Sequence, residues 1–346
     1  MNLQILLILA QDGVTNGAVY ALLALSILLA FSVTRVLFIP QGEFVVYGAL
    51  TMASMQGGKP PLVAWLLVAF SLVEAVANLA ARYRRTRRWR LSRVAAAQLG
   101  YAVVLAVLVR VLPVSHLPVL AQVLLTFALI VPLGPQMYRL FYQPLAGSSV
   151  LVLMMVSIAL HMALVGLGLL MFGPEGQRIE PFVDVPLQFG AINPGSQALL
   201  IVLVSAVLMI AMQQIFARTV YGKALRAVAF NRLGARLMGI SPAFAGNATF
   251  FVAACLGVLS GILIAPLTTL YFDSGFLISL KGFVGSIIGG LVSYPVAALG
   301  ALLVGLIEAF SAFWASPYKE IIVFTLLIPV LWWRSLKSRH IEEEEE

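Results

Sequence analysis

Residues 151–172 read LVLMMVSIALHMALVGLGLLMF, a run with one ionisable side chain, His161. A hydrocarbon core of about 30 Å takes roughly 20 apolar residues of helix. This run is apolar on every face, as is Leu199–Met212, whereas the strands of a membrane barrel alternate with period two. The stretch is therefore a membrane helix, and the rest of the chain agrees with it. Of 346 residues, 61% are hydrophobic and 10% charged, against about a quarter charged in soluble domains. That composition excludes a soluble two-domain enzyme. The fold class is all-α, a polytopic membrane helical bundle.

Working outward from that run, the same criterion gives Val14–Val33, Leu37–Gln56, Leu62–Ala81, Val94–Leu112, Leu117–Leu133 and Val150–Phe172, then Gln197–Phe216, Phe244–Tyr271, Gly282–Tyr294, Val296–Trp314 and Lys319–Trp333, about eleven membrane segments in all. The first lacks a preceding basic stretch and a small-residue cleavage site, so it reads as a retained span rather than a signal peptide.

Charge sets the orientation. The formal net charge is +8, but five of the 14 acids form the terminal run Glu342–Glu346, leaving 22 basic against nine acidic residues, a net +13. Lys and Arg are retained on the cytoplasmic side. Arg82, Arg84, Arg85, Arg87, Arg88, Arg90 and Arg93 crowd one connection, and Arg218, Lys223, Arg226, Arg232 and Arg236 another. Four segments lie between them, so both fall on the same side. The same count puts Arg35, Arg139, Arg334, Lys337 and Arg339 inside, with the N-terminus outside and the C-terminus cytoplasmic. The acidic tail, 341–346, is too short and too charged to pack and is expected to be disordered.

Two segments are short and broken by Gly and Pro: Phe38–Phe44, with Pro40, Gly42 and Glu43, and Gly282–Gly290, with Gly285, Gly289 and Gly290, flanked by Lys281. Irregular backbone at membrane depth survives only where protein or a watery cavity satisfies it, which marks a substrate path. Close packing of small residues between helices gives the same pattern.

No catalytic constellation is visible. His116, His161 and His340 are far apart, and the single cysteine, Cys255, excludes an intrachain disulfide and a cysteine-ligated metal site. No G-x-x-x-x-G-K-[ST] run occurs, so ATP hydrolysis by this chain is not expected. No metal and no cofactor are implied, and the charge excess reports topology rather than nucleic-acid binding. His161 reads either as a helix–helix hydrogen-bonding residue or as a proton relay.

Residues 218–242 read RTVYGKALRAVAFNRLGARLMGISP. Leu225, Ala229, Leu233 and Leu237 recur at i+4 with basic residues off that line, which predicts one or two amphipathic helices. Asn231 can cap the second, Gly239 can end it, and Ser241-Pro242 can open the next span. This segment reads either as an interfacial helix held by lipid or as a docking element for a cytoplasmic partner.

Asn16-Gly17-Ala18-Val19-Tyr20-Ala21-Leu22-Leu23-Ala24-Leu25, Gly42-Glu43-Phe44, Gly48-Ala49, Tyr142-Gln143-Pro144-Leu145, the Gly222–Ile240 stretch, and Lys281-Gly282-Phe283 through Gly289-Gly290, Pro295, Gly300, Gly305, Glu308 and Tyr318-Lys319-Glu320 follow one another in an order that resembles the permease subunits of branched-chain amino-acid ABC transporters, more closely the H-type than the M-type. Pro40-Gln41, Gln143 and Phe230 depart from that family's Ala-His, arginine and acidic residue. About 55 residues within 57–117 have no clear counterpart and form a two-span insertion whose Arg82–Arg93 loop is a topology anchor or an anionic-lipid site.

The resemblance implies an ABC-importer permease subunit in the bacterial inner (plasma) membrane, with no enzymatic activity of its own. It would move branched-chain or related amino acids, small amides or urea. Its partners would be two cytoplasmic ATPase subunits, a second homologous permease, an external solute-binding protein and membrane lipid. Residues 1–340 would form one permease domain, with 218–244 the coupling segment. Gly222, Lys223, Arg226, Ala227, Arg232, Arg236 and Gly239 would contact the ATPases; Gly42, Glu43, Lys281, Gly285, Gly289, Gly290 and Glu308 would line the pathway. The residues themselves leave open a gradient-driven secondary transporter or channel, coupled through Glu74, His161 or Glu308, and a membrane-embedded enzyme.

Overall fold

A computed structural model describes residues 3–86, 92–183, 195–290, 293–326 and 328–332. Arg87, Arg88 and Arg90 of the basic loop, Arg334, Lys337, Arg339, His340 and the tail 341–346 lie outside the described residues. Regular structure among the described residues is helical, apart from one antiparallel bridge between Gln177 and Leu270. The helices are α1 (Leu3–Thr34), α2 (Gln41–Gln56), α3 (Val63–Thr86), α4 (Arg93–Val111), α5 (Val119–Ile130), α6 (Leu133–Met137), α7 (Val150–Phe172), α8 (Ser196–Arg218), α9 (Val220–Phe230), α10 (Arg232–Leu237), α11 (Pro242–Ile264), α12 (Gly275–Ile288), α13 (Tyr294–Trp314) and α14 (Lys319–Thr325). A π-helical turn, Tyr138–Tyr142, continues α6.

Eight described helices are long and apolar enough to cross a membrane: α1, α3, α4, the run Val119–Leu145, α7, α8, α11 and α13. The other three of the eleven expected segments are the 16-residue α2, the 14-residue α12 and the C-terminal stretch that α14 opens. At 1.5 Å per residue α12 is about 21 Å long, short of a full core. It also begins at Gly275 rather than Gly282, and α1 begins at Leu3 rather than Val14. Backbone hydrogen bonding continues where the apolar pattern lapses. Gln11 and Asp12 sit inside α1 without ending it, and the Thr15 hydroxyl adds a side-chain hydrogen bond to Gln11 O at 2.8 Å.

The chain divides into two compact units. The first comprises residues 1–32, 181–223 and 277–346. In it α1 and α13 approach along small residues: a Cβ on Gly17 would lie 2.8 Å from Leu302 Cα, and one on Gly13 the same distance from Leu306 Cα. Gly285 of α12 and Gly289, just past its end, rest against Ala301 and Ala297 of α13, and Gly282 against Leu23 of α1.

The second unit comprises residues 33–180 and 224–276. Its centre is α2 against α11, where a Cβ on Gly48 would lie 2.8 Å from Val258 O. Phe38, Tyr138, Tyr142 and Phe250 form a buried aromatic group with ring centroids as close as 4.6 Å. The α3–α4 pair is tied to this body through charge. Arg139 Nε lies 2.7 Å from Glu74 Oε1 and Nη2 donates to Oε2 at 3.1 Å. The Gln98 amide fits between them with its oxygen 2.6 Å from Arg139 Nη2 and its nitrogen 3.2 Å from the carboxylate. Gln136 adds a hydrogen bond to Ser71 Oγ at 2.8 Å.

Candidate translocation and coupling site

Glu43 stands in the first turn of α2, which opens after Pro40. Its neighbour Gly42 lies so close to the Gly275 backbone that a side chain there would collide with it. Glu43 Oε1 sits 3.0 Å from His161 Nδ1 of α7, both side chains being at most 5% exposed. The imidazole lies against the Phe276 ring at 5.2 Å. Glu43 Oε2 and Gln41 Oε1 are buried without a hydrogen-bond donor among the described residues, while Gln41 Nε2 donates to Ala253 O at 2.9 Å. A buried carboxylate with a free acceptor is costly in a membrane interior, so Glu43 is held there by the packing of α2.

Lys281, Gly285, Gly289, Gly290 and Glu308 fall in the first unit. Lys281 Nζ of α12 lies 2.5 Å from Glu308 Oε1 of α13 and 3.1 Å from Glu320 Oε1 of α14. Tyr20 of α1 donates to Glu308 Oε2 at 2.7 Å, and its ring faces Lys281 Nζ at 5.7 Å. Each cation or carboxylate near the break thus has an oppositely charged or donor partner, as burial in low dielectric requires. Gly290 takes φ +70° and ends α12 through a hydrogen bond from its N–H to Ile287 O at 2.8 Å.

The connection after α8 is built locally. Thr219 donates to Ile215 O at 2.6 Å and accepts from Gly222 N at 3.0 Å. Gly222 is required here, because a Cβ would lie 2.5 Å from Phe216 Cα. Asn231 Oδ1 caps α10 by accepting from Gly234 N at 2.9 Å, Gly239 leaves it at φ +82°, and Ser241 Oγ accepts from Phe244 N at 3.4 Å to open α11. These are the caps the spacing predicts.

The expected apolar line is not continuous. Leu225 is buried and Ala229 half-buried, yet Leu233 and Leu237 are 70% and 81% exposed. Asn231, extended at φ −146°, rotates α10 relative to α9 and turns its leucines outward. Lys223, Arg226 and Arg236 are exposed, Ala227 half-buried, and Phe230 is 95% exposed.

Partners that sequence reading did not assign are Tyr20 and Glu320 to Lys281 and Glu308, His161 to Glu43, and Gln98 and Arg139 to Glu74. Each pairing is distant in the chain, and only a charge inside an apolar run signals that a partner must exist.

Eight helices among the described residues are long and apolar enough to cross a membrane, and together with the ionisable side chains paired inside each unit they define a multi-pass membrane protein. A family model described as the permease component of branched-chain amino acid transport systems matches residues 78–331, and the chain belongs to that family. It is 27% identical over 344 residues to the high-affinity branched-chain amino acid transport system permease protein LivH of Escherichia coli K12, covering 96% of this chain and 95% of that relative. It is 28% identical over 208 residues to the corresponding permease protein BraD of Pseudomonas aeruginosa, covering 58% of this chain and 68% of that relative. No solved structure matches it at a significant level. The chain is a membrane permease of an ABC importer in the inner membrane, a transport subunit rather than an enzyme, and its family works with ATPase and solute-binding partners.

Proposed function

We propose that this subunit imports branched-chain or chemically related amino acids, with small amides or urea as the wider solute class. It pairs with a second homologous permease and is driven by two cytoplasmic ATPase subunits that hydrolyse ATP on its behalf; an external binding protein delivers the solute. Residues 1–340 act as one permease domain of eleven membrane segments, N-terminus outside and C-terminus cytoplasmic, with 57–117 a two-span insertion and 341–346 an unpacked tail. Glu43, Lys281 and Glu308, with Gly42, Gly285, Gly289 and Gly290, line or gate the path. An amino acid that sheds hydration there meets an apolar wall and the dipoles of short helix ends.

The observation that carries this reading is α9–α10. Within 25 residues it exposes the apolar Phe230, Leu233, Leu237 and Met238 and the basic Lys223, Arg226 and Arg236, a mixture of side chains suited to a protein partner. Residues 218–244 are accordingly the coupling segment, with Gly222, Ala227 and Gly239 fixing its shape.

The test is co-purification of the chain from its native membrane in mild detergent, followed by mass spectrometry. A P-loop ATPase and a second permease are expected in the wild type, and Arg226→Glu should release the ATPase while the chain stays folded. A chain that repeatedly elutes alone, or an Arg226→Glu complex that survives size-exclusion chromatography, contradicts the assignment.

A further inference from the structure

Among the basic residues of the coupling segment, Arg232 is placed differently. Lys223, Arg226 and Arg236 are exposed, but Arg232 is half-buried. Its Nη2 donates to Val33 O at 3.1 Å and its Nη1 to Ala146 O at 3.4 Å.

Both acceptors are structurally exceptional. Val33 lies in the last turn of α1, where carbonyls have no intrahelical N–H partner, and a cation there complements the helix dipole. The helix stops because Arg35 adopts φ 60°, a left-handed conformation that residues with a Cβ rarely take. Ala146 follows the 3₁₀ turn Gln143–Leu145, just before Ser149 caps α7.

The guanidinium borders a cavity of about 40 Å³ lined in part by Thr34, Tyr138, Tyr142, Leu153 and Pro242. That volume holds about one to three waters, so the guanidinium has room to shift. Tyr138 and Tyr142 are the two ends of the π-helical turn, and such turns concentrate at functional sites. The end of α1, the π turn and a cavity therefore converge on one side chain of α10.

Resting on the reading of α9–α10 as the coupling segment, we propose that Arg232, which the family resemblance puts among the ATPase contacts, is instead a positioning residue that transmits rather than docks. It ties α10 to the end of α1 and to the turn before α7, so a displacement of α10 moves both. The two carbonyls are met by separate nitrogens of a rigid planar fork, whereas a lysine offers its three donors from a single nitrogen on a flexible stem.

The experiment uses the intact complex, purified with its ATPase subunits and reconstituted in proteoliposomes, with radiolabelled leucine and urea assayed in parallel. Arg232→Ala is expected to keep the ATPase subunits at wild-type stoichiometry and to hydrolyse ATP within about twofold of wild type, while uptake falls at least tenfold. Arg232→Lys, which keeps the charge, is expected to lose roughly three- to tenfold in uptake with a wild-type elution profile, so the comparison does not depend on how the alanine variant folds. Release of the ATPase by Arg232→Ala would make it a docking contact and overturn the inference, as would hydrolysis and uptake both unchanged. A wild-type chain that carries no ATPase subunit overturns the reading of α9–α10 itself, and the inference with it.

Discussion

Lys281 and Glu308, 27 residues apart on α12 and α13, meet with Nζ 2.5 Å from Oε1, and Tyr20 closes the other carboxylate oxygen at 2.7 Å. Breaking a buried pair by removing one partner costs about 3–5 kcal/mol, whereas replacing both is far milder. Lys281→Met and Glu308→Leu should each lower the thermal midpoint in detergent, and the double variant should recover much of the loss. A double-mutant cycle with additive effects would show that the two side chains are not coupled.

Glu43 and His161 separate packing from transport. His161→Leu leaves the carboxylate buried without its partner and should destabilise the chain by about 1–3 kcal/mol, and Glu43→Gln added to it should restore most of that stability. If Glu43 also lines the path, Glu43→Gln alone keeps its thermal midpoint yet reduces uptake at least tenfold. Full uptake by a stable Glu43→Gln variant removes it from the pathway.

The approach of α2 to α11 leaves no room at Gly48, whose Cβ would stand 2.8 Å from Val258 O and 3.0 Å from Val258 Cα. Gly48→Val should cost about 1–3 kcal/mol by overpacking, read as a lower unfolding temperature and reduced yield from the membrane. Gly100 of α4 has nothing among the described residues within 4 Å of its Cβ position. Gly100→Ala should be neutral or slightly stabilising, since alanine favours the helix by up to about 1 kcal/mol.

Gly222 fixes the angle at which α9 leaves α8. Gly222→Val should push the segment off Phe216 and weaken ATPase co-purification at least tenfold, with the membrane-embedded part intact by its elution profile. Undiminished co-purification would mean that this angle does not matter to docking.

Eight of the spans were legible because a membrane helix is written in consecutive residues, and the caps at Asn231 and Ser241 because capping is local. Boundaries were not: hydropathy lapses at Asp12 and before Gly282, yet the backbone ladder runs on through both. The pairing of Glu43 with His161 and of Glu308 with Tyr20 depends on which helices become neighbours, which no single stretch encodes. The outward turn of Leu233 and Leu237 escaped the i+4 pattern because one extended residue, Asn231, resets the helical phase.

The small-residue seam where Gly285 and Gly289 meet Ala301 and Ala297 also restricts how this permease can diversify. Neither face can enlarge a side chain without parting α12 from α13, so the seam is closed to gradual change. Descendants with a new cargo must vary elsewhere, and this surface keeps its shape while preference drifts around it.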